Sequence, residues 1–171
     1  MTYLDFTILG LIYQKPATGY EIRKVFETTA LGNFSSSPGS IYPALKKLQK
    51  LKMVLQKDNE LGRTLFFITD SGEDALKSWL TTEIERSDIA KNLDIILLRF
   101  AFMEDLATQN EIVRFLEVFR RQLKKYVKEL KEFHQIEKND MKKHGRLAFE
   151  HGIESYQTTL RWINRTLKTI K

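Results

Sequence analysis

The chain has 171 residues, with 28 Lys and Arg against 22 Asp and Glu and a formal net charge of +6, so it suits one or two small domains and mildly favours an anionic partner. It contains no cysteine, which excludes a disulfide framework, a thiolate metal site and a cysteine redox sensor. No apolar run reaches the roughly 18 residues of a membrane span, and Met1–Asp5 lacks signal-peptide features, so the expected location is cytoplasmic.

Leu4 to Tyr13 is apolar, with Leu4, Ile8, Leu9, Leu11 and Ile12, and predicts a first core helix. Pro16-Ala17-Thr18-Gly19-Tyr20 punctuates the chain. Thr18 is placed as an N-cap, and Glu21, three residues on, completes a capping box. The second helix is expected over about Gly19 to Ala30, burying Ile22, Val25 and Phe26. Gly32 to Ser37 reads as a small-residue turn.

Ile41, Leu45 and Leu48 recur at helical spacing and predict a third helix with one buried face. Ser40, Tyr42, Pro43, Lys46, Lys47 and Lys50 are left on the other face. Small residues at the helix entrance, Ser37 and Gly39 among them, let a backbone approach a phosphate, and helix N-termini favour anions. Lysines one turn further on would neutralise flanking phosphates and release counterions. Lys46, Lys47, Lys50, Lys52 and Lys57 fall within twelve residues without a carboxylate. An ordinary solvated surface helix would carry such lysines too.

Met53 to Lys57 reads as a strand, Asp58 to Gly62 as a turn and Arg63 to Ile68 as the return strand. Thr69 or Asp70 then caps a fourth helix carrying Leu76, Trp79 and Leu80. Three helices, a hairpin and a helix are the winged variant of the helix-turn-helix.

These residues resemble the PadR-like family of transcriptional regulators over about Leu4 to Leu80. The resemblance rests on Ile8-Leu9-Gly10-Leu11-Ile12, on Pro16-x-x-Gly19-Tyr20-Glu21-Ile22, on Gly39-Ser40-Ile41-Tyr42-Pro43-Ala44-Leu45-x-x-Leu48 and on Ile68-Thr69-x-x-Gly72-x-x-x-Leu76. The longer C-terminal part resembles the larger subfamily. Three positions depart from the pattern. Lys52 stands where the family has Gly, and must take the C-cap geometry without glycine's freedom or cap differently. Thr64 and Leu65 stand where Lys and an aromatic are common, so the wing is expected to hold phosphate less tightly. Gln49 replaces a common Glu.

In the second half, Ile112, Leu116, Phe119, Leu123, Tyr126, Leu130 and Phe133 alternate spacings of 4 and 3, as do Phe149, Ile153, Tyr156, Leu160, Ile163, Leu167 and Ile170. Ile89, Leu93, Ile96, Phe100 and Met103 form a shorter stripe. Three amphipathic helices are expected, joined near Ala107 and around Lys143 to Arg146, with the two long ones antiparallel. A helix pair this narrow needs another surface for its remaining apolar faces, and a second copy provides one, so a homodimer is expected; a monomeric three-helix bundle is the other solution. Lys77 to Asn92 is read as the domain junction, and its polar stretch Thr81 to Asn92, free of proline and glycine, as a stiff helical connection.

The expected fold is mainly α. Residues 1–82 form an N-terminal winged helix-turn-helix, helices plus a two-stranded wing. Residues 83–171 form a C-terminal α-helical dimerisation domain. His134, His144 and His151 show no ligand spacing, Ser35-Ser36-Ser37 has no neighbouring His, and no catalytic motif occurs. The reading is therefore not an enzyme, with no metal and no cofactor.

The function expected is a sequence-specific regulator, a homodimeric repressor on a pseudo-palindromic double-stranded DNA operator. Ser40 and Tyr42 are placed near bases or flanking phosphates, with Gly39 and Pro43 shaping the approach. Lys46, Lys47 and Lys50 are placed on phosphates, which position without specifying. Thr18 and Tyr20 are placed on the backbone, and Lys57 and Arg63 on the wing. Tyr20 and Tyr42 also fit as partly buried core aromatics. The resemblance implies a small hydrophobic or aromatic effector. Trp79, Phe100, Phe102, Tyr156 and Trp162 are the candidate lining, although aromatics at helical spacing are more often plain core. Two other classes remain: a winged-helix module that binds protein, and a small-molecule-binding helical dimer without direct DNA readout.

Overall fold

The structure is a computed structural model that describes residues 1–31 and 38–170. The chain forms two compact units, Met1–Leu80 and Thr81–Lys171.

The first unit holds α1 (Tyr3–Gln14), α2 (Gly19–Thr28), a 3₁₀ turn (Pro38–Ser40), α3 (Ile41–Lys50), β1 (Val54–Asp58), β2 (Thr64–Ile68) and α4 (Asp70–Leu80). Capping boxes start the first two helices: Thr2 with Asp5, and Thr18 with Glu21. The second helix ends at Thr28, two residues before Ala30. Thr28 and Thr29 donate their hydroxyls to the Lys24 and Val25 carbonyls, a local bonding that competes with helix continuation. Thr69 caps α4, accepting the Gly72 N–H at 3.2 Å. The Gly32–Ser37 turn lies outside the described residues.

Strands β1 and β2 pair antiparallel, with Val54 opposite Ile68 and Asp58 opposite Thr64. Ala17 adds a bridge, its carbonyl accepting the Phe66 N–H at 2.9 Å. Ile8, Leu9, Ile12, Ile22, Ile41, Leu45, Leu48, Leu76 and Leu80 are almost wholly buried and form the core. Val25 is half-buried.

The second unit is helical: α5 (Arg86–Lys91), α6 (Leu93–Phe102), α7 (Gln109–Glu137) and α8 (Lys143–Ile170). Tyr126 meets Tyr156 edge-on at 5.2 Å and Phe133 meets Phe149 at 5.6 Å. The Gln109 side chain donates to the Ile170 carbonyl. These contacts run in opposite directions along α7 and α8, as an antiparallel pair requires.

Three expectations are corrected here. The short apolar stripe is two helices, because the backbone breaks at Asn92 (φ −133°, ψ 33°). The joint between the long helices falls at residues 138–142, and Gly145 lies inside the first turn of α8. Residues 81–85 are not helical. Glu85 there is an N-cap that forms a box with Asp88 and opens a new helix.

Leu116, Phe119 and Leu123 of the α7 stripe are fully buried, and Ile153, Ile163 and Leu167 answer them from α8. Arg86 of α5 pairs with Glu129 at 2.7 Å and lies over the Tyr126 ring. Arg99 is buried, its guanidinium over the Phe115 ring and donating to the Thr82 carbonyl.

Candidate nucleic-acid interface

Helix α3 is built from two opposed faces. Ile41, Ala44, Leu45 and Leu48 are buried. Tyr42, Pro43, Lys46, Lys47 and Lys50 are exposed, Gly39 is exposed beside them and Ser40 is half-buried. The helix ends in a Schellman turn: Lys52 N–H donates to Gln49 O at 2.9 Å and Met53 N–H to Leu48 O at 3.0 Å. Lys52 takes φ +57°, the only positive φ outside glycine among the described residues. The departure at this position therefore leaves the cap geometry unchanged and places lysine in a conformation that favours glycine. The turn delivers the chain directly into β1, and the Gln49 amide donates to Gln56 at 2.8 Å.

Lys47 stands apart from its neighbours. Its ammonium lies 2.5 Å from Asp5, a carboxylate only 2% exposed. Burial pushes the Asp5 carboxyl up. Hydrogen bonds from Lys47 and Thr2 outweigh that and hold it below the usual carboxylate range. This charge already has a partner within the unit, whereas Lys46 and Lys50 point from the same helix into solvent.

Tyr42 is 49% exposed and Tyr20 63%, so neither is a core residue. The Tyr42 ring lies across the start of α2, where a Cβ on Gly19 would come within 2.8 Å of it. Glycine at that position leaves room for the ring. Arg23, one turn after Tyr20, has both phenols in its electrostatic surroundings and pairs with Glu27 at 2.8 Å.

Thr18 accepts the Glu21 N–H at 3.1 Å and is held by the Glu21 carboxylate. Those bonds, with Lys15 and Arg63 nearby, lower the Glu21 carboxyl. Arg63 of the wing is thus close to the start of α2. The wing turn is pinned by the Asn59 side chain, which accepts the Leu61 and Arg63 N–H groups, and Gly62 sits at φ +69°. Lys57 lies over the Phe67 ring at 5.7 Å. Ser37 lies outside the described residues.

The candidate effector residues fall in both units. Trp79 stacks on Phe6 at 4.7 Å within the first unit. In the second unit Phe100 meets Trp162 at 5.4 Å, Tyr156 meets Tyr126, and Phe102 is buried. Among the described residues no group of three or more His, Asp or Glu is placed to hold a metal ion, and no helix is long and apolar enough to cross a membrane.

Three helices, a paired hairpin and a fourth helix, with α3 open on its basic side, define a winged helix-turn-helix protein. The family model described as "Transcriptional regulator PadR-like family" matches residues 8–78. A second, "Virulence activator alpha C-term", matches residues 94–171. The negative transcriptional regulator PadR of Bacillus subtilis (strain 168) is 31% identical over 130 residues, 73% of this chain and 68% of its own. The chain belongs to the PadR-like family.

The transcriptional regulator YqjI of Escherichia coli (strain K12) is 32% identical over 86 residues, half of this chain and 40% of YqjI, so the chain spans well under two thirds of that relative. A crystal structure of Bacillus subtilis PadR in complex with operator DNA has 23% identity and a TM-score of 0.45, covering 98% of this chain and 99% of that one. A structure of the same protein with p-coumaric acid has 20% identity and a TM-score of 0.46, covering 98% and 95%.

Proposed function

We propose that this chain is a DNA-binding transcriptional regulator, a homodimeric repressor that reads a pseudo-palindromic operator through α3. The observation that carries this reading is the division of α3. One face is committed to the core, and the other leaves Tyr42, Pro43, Lys46 and Lys50 outside. A helix presented in this way enters a major groove with its N-terminal residues at the base edges. In this account Ser40 and Tyr42 read bases, and Lys46 and Lys50 hold phosphates. Arg63 and Lys57 follow the backbone from the wing. Thr18 and Tyr20 bear on the backbone from the start of α2.

A second copy is supported by the end of the long-helix hairpin, where Phe133, Ile136 and Leu147 are 50%, 73% and 50% exposed. Relief by a small aromatic effector rests on family membership and on the relative crystallised with p-coumaric acid. Footprinting on selected genomic fragments tests the reading. Two protected half-sites about one helical turn apart, or a multiple of it, are expected. A single unpaired footprint contradicts the dimer, and no footprint on any fragment moves the reading to a protein-binding module.

A further inference from the structure

Between α7 and α8 runs an open groove of about 750 Å³ that the DNA-binding reading does not use. Val127 and Leu160 form an aliphatic floor. Arg121, Lys124, Lys125, Lys128 and Lys131 rise along one side and Arg161 stands on the other. Glu132 is the one carboxylate in the lining, 3.6 Å from Lys128.

Such crowding has a cost. Arg121 with Lys125, and Lys124 with Lys128, are like charges at i,i+4, which oppose the helix that carries them. Lysine and arginine nevertheless carry long methylene stems that lie along apolar surface while their charged heads stay in water. The result is an apolar slot edged by positive charge, without an aromatic ring in its lining. A bare polyanion leaves such a floor unused, and a neutral hydrocarbon leaves the rim unanswered.

We propose that this groove binds an alkyl carboxylate. Its chain lies on Val127, Leu160 and the lysine stems. Its carboxylate is held at the rim, where the Arg121 or Arg161 guanidinium offers paired donors matched to its two oxygens. The site lies wholly within the second unit, and the proposal stands or falls without the DNA reading.

Calorimetry on the full chain tests it with three probes: decanoate below its micelle concentration, decanol, and citrate. Saturable decanoate binding about tenfold or more tighter than either of the others is expected, since head and chain each contribute. Lys124→Glu/Lys128→Glu, both on the surface, loses decanoate with helix content retained. Leu160→Gln weakens decanoate and leaves citrate unchanged. Citrate binding as tightly as decanoate reduces the groove to a charge patch and overturns the proposal. So does decanoate binding that neither variant alters. A fall in sedimentation coefficient in the charge-reversed variant makes the groove an interface between copies, and also overturns it.

Discussion

Lys47 of α3 and Asp5 of α1, forty-two residues apart in sequence, meet at 2.5 Å, and the carboxylate is almost wholly buried. Asp5 also accepts the Thr2 N–H at 2.6 Å. One carboxylate therefore caps the first helix and ties α3 to it.

The pair predicts a specific acid response. Asp5 titrates below its ordinary value in the folded chain. Its contribution is thus complete above the unfolded value and disappears as pH falls through the depressed folded one. Asp5→Asn is expected to cost about 1–3 kcal/mol at neutral pH and to flatten the acid limb of stability, with the half-exposed Lys47 keeping the loss modest. Lys47→Met leaves burial less opposed, so the acid midpoint moves to higher pH. Thermal unfolding between pH 2 and 7 reads both. An unchanged acid limb in Asp5→Asn denies the pair its role.

Lys52 gives a stabilising prediction. It holds φ +57° at the end of α3, a region that costs an L-residue about 1–2 kcal/mol relative to its usual conformations. Lys52→Gly keeps the Schellman bonds and is expected to raise stability by about 1 kcal/mol, part of the gain being returned to the unfolded chain's entropy. Denaturant unfolding with an unchanged m-value measures it. A loss of stability means that the Lys52 side chain holds something the backbone does not show.

Gly72 gives the opposite sign. A Cβ there would meet the Met53 carbonyl at 2.2 Å and Ile68 at 2.7 Å. Met53 already accepts the Thr69 N–H, and the Thr69 hydroxyl bonds Lys52. The glycine thus lets α4 close on the turn that follows α3. Gly72→Ala is expected to cost at least about 2 kcal/mol through overpacking against backbone. A midpoint unchanged in urea contradicts this packing.

Most of the first unit was legible in local patterns. Thr18-x-x-Glu21 announced a capping box, the apolar spacing of Ile41, Leu45 and Leu48 announced a buried face, and the hairpin followed from its turn residues. Asp5 was not legible as the partner of Lys47. Its capping pattern with Thr2 is local, but a contact spanning forty-two residues leaves no periodic trace. In the second unit the heptads of α7 and α8 were plain. The break at Asn92 was not, because an apolar stripe continues across two helices that meet at an angle. Gly145 looked like a joint, yet glycine is tolerated in the first turn of a helix. The Lys52 departure was visible, but its consequence for φ required the backbone.

The central claim is that the open face of α3 holds DNA phosphate. Fluorescence anisotropy of the protein with duplexes from its own upstream region, across several salt concentrations, tests it most directly, with Lys46→Ala alongside the native chain. The expected result is tight binding to one pseudo-palindromic segment, and a salt slope that Lys46→Ala reduces by about one unit while weakening all sequences alike. Weak and equal binding to every duplex, with a slope that Lys46→Ala leaves unchanged, would contradict it.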